Sequence, residues 1–176
     1  MTVIVGMWDE VAGEAFLGSD SQVTTGSVKF FDAPKVHLVQ GIGFGFSGPL
    51  RRMQAALRFL QASQDVFGSK EILERVILAT CQHVDYTCPA SEDAEEDLWW
   101  VVATPWGIAS VATGSILWRR EMAEGSGQQF ALGSLHATAK FAGVTPEERV
   151  RYAIEAACKY DTGCGLPLQL LRVGAP

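Results

Sequence analysis

The sequence predicts a layered α+β fold, a four-layer αββα sandwich with two antiparallel sheets packed face to face between helix pairs. Three observations carry this. Strand-like segments fall into two groups, one before residue 48 and one after residue 98, and segments of helical spacing follow each group. Neighbouring strand segments are joined by short turns, which favours antiparallel pairing. The 176 residues are 48% hydrophobic and 19% charged, enough apolar material for a real core.

The elements follow in order. Residues 2–8 and 14–19 read as two strands joined by a turn at Glu10-Val11-Ala12-Gly13. Residues 35–39 and 42–46 read as a second hairpin with Gln40-Gly41 at its turn. Leu50, Met53, Leu57 and Leu60 recur at helical spacing, which predicts an amphipathic helix over 49–66. Ile72, Leu73, Val76, Ile77, Thr80 and Val84 share one face of a second helix. Residues 98–103, 107–112 and 116–120 read as strands, residues 130–132 as a short further strand and 133–142 as a helix. The next helix has a capping box, with Thr145 at the cap, Pro146 at the first turn and Glu148 three residues on, and runs to Tyr160. Residues 168–173 form the last strand. No repeat or linker interrupts the chain, so residues 1–176 are expected to form one domain.

Several function classes are excluded. The net charge is −6 and no block of Lys or Arg stands out, so nothing electrostatic favours nucleic acid or an anionic membrane. The acidic run Glu92-Asp93-Ala94-Glu95-Glu96-Asp97 reads as a solvated loop. No apolar run approaches the ~18 residues that span a bilayer, and the apolar start meets Asp9-Glu10 too soon for a signal peptide. Cys81, Cys88, Cys158 and Cys164 lack C-x-x-C spacing and read as reduced thiols of a cytoplasmic protein. His37, His83 and His136 are scattered, so neither a metal site nor a cofactor is expected. Gly43-x-Gly45-x-x-Gly48 fits the dinucleotide fingerprint literally. That motif needs a second parallel strand ending at its acidic residue; here Asp65 ends a helix and another helix follows.

Thr2 is the residue that carries chemistry. Removal of Met1 by an aminopeptidase would give Thr2 a hydroxyl and a free α-amine. The unperturbed pKa of such an amine is about 7.7–8.0, which suits it to act as general base for its own hydroxyl. Other polar or Gly-rich points fall at element ends: Asp20, Lys35, the 43–48 segment, Leu132-Gly133-Ser134 and Asp161-Thr162-Gly163-Cys164-Gly165.

In this order, and at closely similar spacings, Thr2, Leu17-Gly18-Ser19-Asp20, Pro34-Lys35-Val36, Gly43–Gly48, Leu132-Gly133-Ser134 and Asp161–Gly165 resemble the N-terminal nucleophile hydrolases. Among them, the chain is most similar to proteasome β subunits and to the bacterial proteasome-like peptidase of the two-component heat-shock protease. The resemblance implies roles. Thr2 matches the nucleophile, Lys35 the lysine that lowers the pKa of its hydroxyl and amine, and Asp20 the carboxylate that orients the lysine. Ser134 and Asp161 match the pair that bonds the amine and a proton-shuttling water. Gly45 matches the oxyanion donor, and Thr24 and Gly45 match positions that pair with a substrate strand. Val23, Ala33, Gly43 and Ser47 would line the pocket for the residue before the cut, which suits medium apolar side chains. Cys164 stands where the family usually has Ser, beside Gly165, and is a weaker hydrogen-bond partner.

The implied activity is threonine-type endopeptidase in a self-compartmentalised homo-oligomeric ring, fed unfolded protein or peptides by a regulatory ATPase. A latent or non-catalytic ring subunit of the same fold stays open as an alternative, and so does an amidase acting on a small amide.

Overall fold

The computed structural model describes residues 2–25, 27–31, 33–89, 98–112 and 114–174. In chain order these form β1 (Ile4–Asp9), β2 (Glu14–Ser19), β3 (Val23–Thr25), β4 (Val28–Phe30), β5 (Val36–Val39), β6 (Ile42–Ser47), α1 (Leu50–Ala62), α2 (Lys70–Thr87), β7 (Trp99–Thr104), β8 (Gly107–Ala112), β9 (Ser115–Arg119), β10 (Glu121–Glu124), α3 (Gln128–Thr138), α4 (Pro146–Tyr160) and β11 (Gln169–Val173). One sheet has the order β10-β1-β2-β11, the other β5-β6-β7-β8-β9, and β3-β4 is a separate hairpin. Every pairing within these sheets is antiparallel.

Side-chain alternation along each strand builds the layers. On β1 and just before it, Val3, Val5 and Met7 pack with Ala131, Leu135, Val150 and Ile154 of α3 and α4. Ile4 faces the other way and meets Leu17, Val101, Ala103 and Ile108 between the two sheets. On β6, Phe44 and Phe46 pack with Ala55, Leu60, Leu73 and Ile77 of α1 and α2. The layers are therefore α3/α4, first sheet, second sheet, α1/α2, the αββα order the sequence predicts. Gly6 holds the sheets close, since a Cβ there would lie 2.8 Å from both Ile108 and Val101.

Most elements fall where the pattern puts them. The second hairpin turns at Gln40 (φ 50°) and Gly41 (φ 81°), the positive-φ pair of a tight turn. The capping box of α4 is formed, with Thr145 N–H donating to Glu148 Oε2 at 2.8 Å and Glu148 N–H to Thr145 Oγ1 at 3.2 Å. Helix α1 stops at Ala62, four residues short of the expected end, and Val66 beyond it is exposed.

Three elements differ from expectation. Residues 130–132 are not a strand but the first turns of α3, which buries Ala131 and Leu135 at i, i+4 spacing. The apolar triplet alone was too short to set a period. Strand β10 and the β3-β4 hairpin were not foreseen, and β4 is exposed throughout, so it lacks an inward face to read. Among the tryptophans near the sheets, Trp100 is buried, Trp118 is half-buried, and Trp99 and Trp106 are exposed. The acidic run 92–97 lies outside the described residues.

Candidate active site

One end of the first sheet collects the chemistry. Thr2 precedes β1, Asp20 follows β2, and the Asp20 N–H donates to the Val3 carbonyl at 3.3 Å, so the two residues emerge side by side. Lys35 sits just before β5 on the facing sheet and reaches across to them.

Asp20 is fully buried and every polar contact of its carboxylate is an accepted one. Its Oδ1 accepts from Thr2 Oγ1 at 2.6 Å, Lys35 Nζ at 2.8 Å and the Val3 N–H at 2.9 Å. Its Oδ2 accepts from the Gln22 N–H at 3.0 Å and the Gly165 N–H at 3.1 Å. Lys35 Nζ also donates to Thr2 Oγ1. The lysine is 3% exposed and the threonine 4%, so this triangle is shielded from solvent. Burial pushes the Lys35 ammonium below the ordinary lysine value, and the Asp20 carboxylate opposes that shift. A cation held beside a hydroxyl favours its ionised form, which is the chemistry an oxygen nucleophile needs.

The Thr2 nitrogen meets Ser126, not Ser134. Ser126 Oγ accepts from Thr2 N at 3.3 Å and lies in the turn between β10 and α3. Gly125 makes this approach possible: it has φ 102°, and a Cβ there would sit 2.3 Å from the Thr2 carbonyl oxygen. Ser134 lies well inside α3, where its carbonyl accepts from Thr138 Oγ1 at 2.8 Å. The expectation for Ser134 is thus corrected: the serine at the nitrogen lies in the turn before α3 rather than within the helix.

Asp161 ends α4 and completes this side. Burial works against its ionisation, but hydrogen bonds from Ser126, from the Gly163 N–H (2.9 Å) and from Cys164 Sγ (3.3 Å) hold its carboxyl below the ordinary value. Cys164 is buried, and burial, the Asp20 carboxylate and the bond to Asp161 push its thiol far up, so it stays a neutral donor. Gly165 supports Asp20 through its N–H and accepts from the Ser21 N–H at 3.0 Å.

Thr2 opens into a cavity of about 290 Å³ lined by Thr2, Gln22, Val23, Thr24, Ala33, Pro34, Lys35, Phe46, Gly48, Pro49, Leu50 and Met53. Val23, Thr24 and Ala33 are among the residues that line it. Gly43, Gly45 and Ser47 are not in this wall. The Phe46 N–H donates to the Lys35 carbonyl at 3.0 Å, toward β5. Alternation then turns the Gly45 N–H toward β7, where the residue lies opposite Val101. Gly43 and Gly45 face the space between the sheets: Cβ atoms there would meet Leu17 and Val173, and Ile4 at 2.5 Å, respectively. A one-residue slip along a strand exchanges its faces, and so the cavity takes Phe46 and Gly48 instead. Gly48 is exposed, at the end of β6, with φ 142°. Met53, one turn into α1, completes the wall, and helical spacing had marked it only as a core residue.

Paired antiparallel sheets between helix pairs, with a threonine, lysine and aspartate meeting at one end, define the N-terminal nucleophile hydrolase fold. Comparison with known structures shows that the chain has a proteasome-like fold. The BPH protein of Thiobacillus denitrificans, solved in complex with epoxomicin, matches with a TM-score of 0.82 and 20% identity over 100% of both chains. Eukaryotic HslV from Trypanosoma brucei matches with a TM-score of 0.79 and 17% identity over 99% of this chain and 100% of that one. Anbu, an ancestral β-subunit from Yersinia bercovieri, matches with a TM-score of 0.77 and 14% identity over 97% of this chain and 81% of that one. No family model and no curated protein sequence matches. At such identities the shared property is the fold.

Proposed function

We propose that this chain is a threonine-type endopeptidase subunit, a single peptidase domain that works in a proteasome-like homo-oligomeric ring on unfolded protein or peptides. The observation that carries the reading is the buried Thr2 hydroxyl bonded to both members of the Asp20–Lys35 pair, at the mouth of the cavity. Proteasome-like neighbours, one of them solved with epoxomicin bound, support it at the level of fold.

The mechanism begins with loss of Met1, which turns the Thr2 nitrogen into an amine. Ser126 and Asp161 hold this amine and the water through which it takes the hydroxyl proton. Lys35 lowers the cost of charge on Oγ1, and Asp20 fixes the lysine. The oxygen attacks a peptide carbonyl, and the Gly48 N–H stabilises the oxyanion. Collapse of the tetrahedral intermediate breaks the C–N bond. The ammonium of Thr2 protonates the departing amine and leaves an ester on Thr2, which water then hydrolyses.

The substrate strand is expected to lie between Thr24 and the end of β6, an added strand. Val23, Ala33, Phe46, Leu50 and Met53 make an apolar pocket for the residue before the cut, with no carboxylate among the described lining residues. Medium apolar side chains fit it. Ring assembly would enclose the site, and an unfolding ATPase is the class of partner that would feed it. The test is Lys35→Ala. Peptide hydrolysis should vanish while size-exclusion behaviour stays that of the parent, and full activity would refute the site.

A further inference from the structure

The Lys35 carbonyl accepts from the Phe46 N–H of β6, but β5 begins one residue later and the Lys35 N–H has no backbone acceptor among the described residues. Gln169, the first residue of β11, fills that gap. Its Oε1 accepts from the Lys35 N–H at 3.0 Å and from Ser19 Oγ at 3.4 Å. Its Nε2 reaches the Ala33 carbonyl at 3.5 Å, the outer limit of a hydrogen bond. Gln169 also lies directly opposite Ser19 in the β2–β11 ladder. One carboxamide thus touches the residue next to Asp20, the backbone of Lys35 and a wall residue of the cavity.

We propose that Gln169 is a positioning residue for the Thr2 site. It sets the distance between the Asp20 end of β2 and the Lys35 segment, and it fixes Ala33 in the pocket wall. The proposal rests on the peptidase reading above and deepens it. The lysine Nζ works only while it stays within reach of both Asp20 Oδ1 and Thr2 Oγ1, and it reaches them from a backbone that lies just before β5 of the second sheet. Without the carboxamide, the Lys35 N–H loses its partner and the 33–35 segment is held less tightly, with the Phe46 N–H to Lys35 carbonyl bond remaining. A displacement of ~1 Å at a catalytic group can cost ~10²-fold in rate.

The test uses the purified full-length protein and Gln169→Met, which keeps the length and removes all three hydrogen bonds of the carboxamide. Leu170→Ala, whose side chain packs on the α4 side of the same strand, is the control for plain loss of stability. Amide exchange at Lys35 should quicken at least ~10-fold in Gln169→Met, with amides of β8 unchanged. The kcat for peptide hydrolysis should fall ~10–100-fold with a smaller change in KM. The acid limb of the pH–kcat profile should move to higher pH, because a retreating ammonium no longer lowers the pKa of the amine. Leu170→Ala should lower Tm but leave the limb in place. Unchanged exchange at Lys35 overturns the proposal. Quickened exchange with an unmoved pH limb and unchanged kcat also overturns it, leaving a structural tether only. A wild-type protein that cleaves no peptide sinks the peptidase reading separately; the exchange arm still decides whether Gln169 holds the Lys35 segment.

Discussion

Replacing Asp20 by Asn tests how the site is held, and its cost follows from the hydrogen bonds. The two carboxylate oxygens accept five donors: Thr2 Oγ1, Lys35 Nζ and the Val3 N–H on one, the Gln22 and Gly165 N–H groups on the other. An amide has one accepting oxygen. If its NH₂ replaces Oδ2, two backbone N–H groups face a donor. If it replaces Oδ1, the lysine and the Val3 N–H do. Either orientation leaves at least two buried donors unpaired, at about 1–3 kcal/mol each, so the loss should be about 2–6 kcal/mol. For a chain of this size ~1 kcal/mol moves Tm by ~2–4 °C, so the melting point should fall by ~4–24 °C. The assay is thermal unfolding at fixed protein concentration, since assembly would itself shift Tm. Adding Lys35→Met should recover part of the loss, because the uncompensated buried charge goes with it. A single-mutant loss under ~1 kcal/mol, or strictly additive mutations, would refute the reasoning.

Other outcomes follow from the same geometry. Ser126→Ala should cut peptide hydrolysis by ~10–100-fold through the amine it holds, while Ser134→Ala leaves the rate within about twofold; the reverse order would restore the helix serine to the site. Gly48→Ala should cost up to ~10²–10³ in kcat, the worth of one oxyanion donor, because a side chain resists φ 142° and would turn the retained N–H away. Gly45→Ala should instead show itself as lost soluble yield, because its Cβ would strike Ile4, and a normal yield would put the register in doubt. The pH–kcat/KM profile should be a bell. Activity rises as the Thr2 amine deprotonates, and it falls on the alkaline side below the ordinary lysine value of 10.5, because burial lowers the Lys35 pKa and the useful charge is lost early; an alkaline limb at or above that value would contradict it. Cys164→Ser should hold or raise activity, since the hydroxyl is the better donor to Asp161, and a large loss would mean that the thiol has a role of its own.

The sequence was legible where chemistry and periodicity agreed. Thr2, Asp20 and Lys35 sit at the ends of strand-like segments, and the structure brings all three together. The capping box at Thr145 needed only local rules. The errors arose where local signals were degenerate. The 43–48 segment repeats glycine at every second or third position, so nothing in it says which glycine faces the cavity; the answer depends on the register with β5, seen in the Phe46–Lys35 bond. Ser126 and Ser134 are both serines next to glycine. The signal that separates them, Gly on each side of Ser126 just after a strand, appears only once β10 is recognised, and β10 is a strand of four residues. The β3-β4 hairpin is exposed along β4 and depends on tertiary ties, among them Lys29 Nζ to the Thr162 carbonyl at 2.9 Å, that no pattern announces. Gln169 was invisible for the same reason, since its role depends on a residue 134 positions away.

The central claim is that Thr2 is an N-terminal nucleophile, and intact mass of the purified protein with and without a peptide epoxyketone tests it most directly. That warhead locks onto a residue only when a hydroxyl and a free α-amine are adjacent. The account predicts a mass lacking Met1 and a single adduct, lost in Thr2→Ala. Retained Met1 with no adduct would contradict it and leave a chain of this fold that does no chemistry at this site.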